Sequence, residues 1–169
     1  MGADVELVPA VPDDALAIYV LLSGPHHGWT RAADLGPPHL GDIHVRLQES
    51  CIALYQVCID GDETVGVCSL YDFQPPDQTC WMDCALSIDF ANTQPTVVAD
   101  LVRHAFLDWD VRKLYAISHG HEVSPLAALE GHTSEGTLRA RWWSDGMFLD
   151  RHISALNRES WLDHGGGAR

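Results

Sequence analysis

The chain has 169 residues, 46% of them hydrophobic, which suits one domain with a buried core and is too apolar for a disordered segment. Its formal charge is −14, with a single lysine, Lys113, beside nine arginines. That balance argues against nucleic acid as the main partner, because phosphate affinity comes from Lys and Arg; it suits cationic acceptors such as amines, or plain solubility.

The opening, MGADVELVPAVPDD, is acidic and lacks the apolar core of a signal peptide. No run approaches the ~20 apolar residues of a membrane span, so the expectation is a cytoplasmic protein with no membrane partner. Residues 5–8 form a short strand candidate. Pro12 and the pair Asp13-Asp14 then open a helix over 15–22, with negative charge at its positive end. Residues 23–41 carry Gly, Pro, His and Trp without clear periodicity and form a long loop, a length at which loops are often functional.

Order returns at Val45. Cys51–Ile59 is a strand, Asp60-Gly61 a hairpin turn, and 64–73 the return strand. After the turn QPPDQ, residues 79–88 (TCWMDCALSI) read as a strand buried on both faces, charged only at Asp83. Residues 89–95 break it. From Thr96 to Asp108 the apolar positions Val97, Val98, Leu101, Val102, Ala105 and Phe106 recur at helical spacing, with Pro95 fitting the first turn. Lys113–His119 is the next strand, which completes a β–α–β unit whose helix N-terminus can receive an anion.

Ser124 and Pro125 open a short helix over 125–129, stopped by Gly131. Residues 137–143 and 147–156 flank a hairpin at Ser144-Asp145-Gly146, Arg158–Asp163 makes a last turn around Trp161, and 165–169 are a disordered tail to a single domain over 1–164. The order of elements predicts an α/β mixed sheet with helices on its faces. Five cysteines (Cys51, Cys58, Cys68, Cys80 and Cys84) lie in apolar strand-like runs without a CxxC pair, so they read as small buried hydrophobes. His119-Gly120-His121 has no ligand-spaced Cys or carboxylate around it, and no metal is expected.

This order, together with LVRHAF in the central helix, KLYAISH in the next strand and GHTSEGTLRAR after Glu130, resembles the GNAT acyltransferase superfamily. Within it the chain looks most like the ribosomal-protein N-acetyltransferase branch. The resemblance implies a seven-stranded mixed sheet in which strands 79–88 and Lys113–His119 are parallel neighbours that splay apart. It implies acetyl-CoA, or another acyl-CoA, as co-substrate, with the pantetheine in the splay and the pyrophosphate at the helix N-terminus. The implied donor-binding residues are Ser87, Asn92, Thr93, Gln94, Thr96 and His121. The pyrophosphate loop departs from the family: Asp89, Asn92 and Gln94 stand where the family has Arg or Gln, then Gly, then Gly or Ala.

Ser124 falls where the family's hydroxyl protonates the leaving thiolate, and it equally suits a helix N-cap. Asp83 and His119 are base candidates, each with a structural role as the alternative. His26, His27 and Trp29 lie where the acceptor loop falls. Tyr71 and Asp72 offer a ring face and a charge to an ammonium group, or simply finish a strand.

The implied reaction is acyl transfer, most simply of acetyl, to a primary amine of a small molecule or a protein N-terminus. The altered loop also suits a carrier-protein or aminoacyl-tRNA donor. A GNAT-shaped binding module without catalysis is a third reading, and a homodimer stays open.

Overall fold

The computed structural model of the protein describes residues 4–23, 41, 51–61, 63–144 and 146–166. Seven strands form one mixed sheet in the order β1-β2-β3-β4-β5-β7-β6. They are β1 Val5–Pro9, β2 Cys51–Ile59, β3 Glu63–Gln74, β4 Thr79–Leu86, β5 Lys113–His119, β6 Thr133–Ser144 and β7 Met147–Asn157. The α-helices are α1 Ala15–Ser23, α2 Gln94–Leu107 and α3 Arg158–Asp163. Residues 24–40 of the expected 23–41 loop and the start at Val45 lie outside the described residues, as do residues 167–169 of the expected tail.

Local chemistry explains most of these boundaries. Asp60 (φ 52°) and Gly61 (φ 85°) both take the left-handed conformation that a tight hairpin with the sheet's twist demands. Val11 N–H donates to Asp14 Oδ2 at 2.8 Å, which caps the 3-10 turn Pro12–Asp14 leading into α1. Gly66 on β3 faces Leu86 on β4, and a Cβ there would run into the Ala85 carbonyl and the Leu86 side chain.

Three expectations shift. The strand expected to reach Ile88 ends at Leu86, and Ile88 is 66% exposed in a 3-10 turn, Ile88–Thr93, that runs directly into α2. The helix expected over 125–129 is a single 3-10 turn, Pro125–Ala128. The strand expected over 137–143 runs from Thr133 to Ser144, with Ala140 (φ 47°) bulged between the Leu138 and Trp142 pairs and its N–H held by Asp150 Oδ1 at 2.8 Å.

The sheet is antiparallel except at β4–β5. These parallel strands pair only at Thr79–Lys113, Cys80–Leu114 and Trp81–Tyr115. Beyond those three positions β4 stays with β3, and β5 stays with β7 along its whole length. The sheet is thus two plates hinged at one end and open at the other.

Alternation along the strands sorts the core into two faces. On one, Val57, Cys68, Leu70, Cys80, Met82, Cys84, Leu114, Ala116 and Leu156 meet Val97, Val98, Leu101, Val102, Ala105 and Phe106 of α2, whose apolar stripe spans both plates. Phe106 in turn tilts against Trp161 of α3 at 5.3 Å between centroids. On the other face, Leu54, Val67 and Ala85 carry Ala15, Ile18 and Leu22 of α1. Helices therefore cover both faces, as two-sided burial of a mostly apolar sheet requires. Cys58, Cys68, Cys80 and Cys84 are free thiols. Burial pushes the Cys84 thiol up to about 12, helped by the neighbouring Asp83 charge. No helix among the described residues is long and apolar enough to cross a membrane.

Candidate active site

β4 and β5 part after Trp81 and Tyr115, and two candidates, Asp83 and His119, stand on the parted lengths. Where two strands part, backbone N–H and C=O groups on the facing edges lose their sheet partners and can bind an extended amide-bearing ligand. Ser124 lies on the α2 face of the sheet, and Asp83 and His119 lie on the other.

On the α2 face a cleft of about 290 Å³ sits beside the end of β5. Ser118 and Ser154 form its floor, with His121, Glu122, Ser124 and His132 at its rim and His152 on the β7 side. Ser124 is the N-cap of the 3-10 turn, its Oγ accepting the Leu126 N–H at 3.2 Å. The same Oγ is hydrogen-bonded to Ser154 Oγ, which lies 3.4 Å from the Ala116 carbonyl oxygen. A carbonyl only accepts, so when Ser154 donates there, the Ser124 hydroxyl is the donor to Ser154. His152 is fixed in the same way: Nε2–H donates to the Gly120 carbonyl at 3.0 Å, and Nδ1 lies 3.0 Å from the Thr137 hydroxyl. His121 is exposed at this rim, immediately after the β5 turn.

Asp83 and His119 lie on the opposite face. Asp83 pairs across β3 with Ser69, and both are buried. Its Oδ1 accepts the Cys84 N–H at 2.9 Å. His119 is 3% exposed at the tip of β5. Its N–H donates to Glu122 Oε2 at 2.9 Å, its Nδ1 is 3.6 Å from the same oxygen, and its ring lies 4.3 Å from that of Trp142. Arg151, the cross-strand partner of His119, sets its guanidinium 5.7 Å from the Trp142 centroid. The fold thus divides the three catalytic candidates between the two faces of the sheet.

Tyr71 and Asp72 do not reach that opening. Tyr71 pairs with Trp81 at the closed end, and Asp72 (φ 54°) is exposed in the bulge before Gln74, bonded to Gln74 Nε2 at 3.0 Å. About 23 Å of strand separates Thr79 from Leu86, at ~3.3 Å per residue. His26, His27 and Trp29 lie outside the described residues.

Ahead of α2 the expected anion loop is a 3-10 turn. Asn92 has no left-handed φ, Gln94 N–H is already donated to the Ala91 carbonyl, and Pro95 has no N–H to offer. Thr93 Oγ1 donates to the Phe90 carbonyl at 2.7 Å, Ser87 N–H donates to the Val65 carbonyl at 2.8 Å, and Asn92 and Thr96 are exposed. The turn offers fewer free N–H groups than an open glycine loop, with Asp89 in its first turn.

No family model and no curated relative matches the sequence. Solved structures do. Spermidine N-acetyltransferase SpeG from Vibrio cholerae in complex with CoA and spermine superposes at TM-score 0.73 with 10% identity, covering 94% of this chain and 98% of that one. Mutant forms of the same enzyme reach 0.75 at 12% identity, covering 96% and 99%. A structure assigned as a phosphinothricin N-acetyltransferase gives 0.72 at 19% identity, covering 91% and 98%. The chain has the GNAT fold.

Within this GNAT fold, sequence reasoning passes over Ser154, His152, Glu122, Trp142 and Arg151. A signal for two of them exists in the strand: His152 and Ser154 share the parity of the core residue Leu156, so they face the α2 side. What they touch there depends on the β5–β7 register, which no local pattern states.

Proposed function

We propose that this protein is an N-acyltransferase that moves an acyl group, most simply acetyl, from a CoA thioester to a primary amine of a small molecule or a protein N-terminus. The observation that carries the proposal is the abrupt end of β4–β5 pairing after Trp81 and Tyr115, together with a hydroxyl, Ser124, in the cleft beside the end of β5. The Vibrio cholerae neighbour, solved in complex with CoA and spermine, supports this reading with a thiol carrier and an amine held on the same fold.

The opening joins two faces, which suits a two-substrate reaction. The thioester approaches along the Ser124 side and the amine from the Asp83 and His119 side. The amine nitrogen attacks the thioester carbonyl, and a strand N–H at the gap stabilises the oxygen as it gains charge. As the C–S bond breaks, its electron pair stays on sulfur and Ser124 Oγ–H supplies the proton. The amine gives its surplus proton to a base, for which Asp83 and His119 are the buried candidates, and solvent reprotonates Ser124.

A second reading has its own observation. The closed 3-10 turn with Asp89 offers little to a pyrophosphate, which favours a donor without nucleotide phosphates at that point, such as a carrier-protein thioester or an aminoacyl-tRNA. Calorimetry with acetyl-CoA and with acetyl-pantetheine separates the two readings. Tighter binding of acetyl-CoA supports the CoA donor, whereas equal affinities support a carrier-borne one. Binding without thiol release in the presence of amines would leave only a binding module.

A further inference from the structure

We infer that Ser154 is a positioning residue for the thiolate-protonating hydroxyl of Ser124. The inference rests on the acyl-transfer reading of the site and adds to it a residue on a different element. Ser124 stands at the start of a one-turn 3-10 segment, and a serine there has a free χ1 unless something outside the turn holds it. Two groups do so. Leu126 N–H donates to one Ser124 lone pair at 3.2 Å, which occupies the oxygen as an acceptor and leaves its proton as the part to be aimed. When the Ser154 hydroxyl donates to the Ala116 carbonyl, 3.4 Å away, Ser154 Oγ is left to accept the hydrogen bond from Ser124 Oγ–H.

Ser154 is itself rigid. It is 7% exposed, in the middle of β7, with Ala116 of β5 on one side and Ser134 of β6 on the other. It thus links the 3-10 turn to the one β-plate whose partner has parted from it. In the resting site the Ser124 O–H stays intact and points at Ser154 Oγ; when negative charge grows on sulfur, a rotation about the Cβ–Oγ bond turns the same O–H towards it. Without Ser154 the hydroxyl turns freely and its proton bonds to water in the cleft instead.

The test is thiol release from acetyl-CoA, with spermidine and with water as acceptors, for wild type, Ser124→Ala, Ser154→Ala, Ser154→Thr and the double alanine variant. Ser154→Ala should lower kcat about 10–100-fold, the scale of a misplaced reacting group, with KM for acetyl-CoA unchanged. Ser154→Thr keeps the hydroxyl and should recover most of the rate. The double variant should be no slower than Ser124→Ala alone, because a residue that acts only through another adds nothing once that other is gone. Additive losses, full activity in Ser154→Ala, or a loss that threonine fails to recover in a folded protein would overturn the inference while leaving acyl transfer standing. Wild type that releases no thiol would overturn the acyl-transfer reading and this inference with it.

Discussion

Ser124 is a cap in the structure and the acid in the proposed reaction, and the two roles separate by substitution. As a cap it accepts the Leu126 N–H, and as the proposed acid it donates its own proton. Ser124→Ala removes both, and kcat should fall about 10²–10⁴-fold, while the lost cap costs about 1 kcal/mol of stability. Ser124→Asp keeps an oxygen acceptor but has no proton to give near neutral pH, so it should restore stability and not turnover. Thermal unfolding read beside thiol release checks both halves. If the aspartate variant turns over at the wild-type rate, Ser124 is only a cap.

Cys84 makes a residue-scale prediction about pH. Its folded thiol titrates at about 12 against an ordinary value of 9.0. A value raised on folding means that the contribution is complete below pH 9 and is lost as pH climbs towards 12, because the unfolded chain releases that proton first. The Tm of the wild type should therefore fall more steeply between pH 9 and 11 than that of Cys84→Ala. Equal slopes would contradict the buried neutral thiol.

At the scale of elements, legibility follows how local each determinant is. Cys51–Ile59 and Lys113–His119 can be drawn to the residue from sequence, because an apolar run between turn residues needs no distant partner to be seen. β6 is different. Its pattern suggests a start at Thr137, yet pairing begins at Thr133, because Ser134, Glu135 and Gly136 have little strand propensity and the segment is held by β7 through Thr133, Ser134 and Gly136. The start of α2 shows the same limit: periodicity locates its stripe, but not the 3-10 turn that consumes the Gln94 N–H. That turn also carries a prediction. Asp89→Arg replaces a like charge near the proposed phosphates, a change worth about 1 kcal/mol at a partly exposed site, so acetyl-CoA should bind about fivefold tighter by calorimetry. Asn92→Gly alone should do little, since Asn92 is not held in a left-handed conformation. Unchanged affinity in Asp89→Arg would mean that no phosphate comes near this turn.

At the scale of the molecule, one helix holds two plates together. Three register positions join β4 to β5, and the stripe of α2 covers the core of both plates below the gap. Phe106, fully buried and packed on Trp161, sits where a loss is felt on both sides. Phe106→Ala should cost about 3–5 kcal/mol in denaturant unfolding, and a loss below about 1 kcal/mol would show that the plates do not depend on α2. This division also explains which parts of the site are legible. Ser124, Asp83 and His119 announce themselves by residue type and position, but which face each occupies, and that Ser154 meets Ser124 from 30 residues away, follows from register across three strands.

The most direct test of the central claim is amide hydrogen exchange with and without acetyl-CoA. If the thioester binds in the gap, protection should rise at residues 82–86 of β4 and 116–119 of β5, whose edges face the opening. The already paired positions Thr79 to Trp81 and Lys113 to Tyr115 should change little. Protection confined to other strands, or none at a concentration where calorimetry shows saturation, would contradict the placement of the donor between β4 and β5.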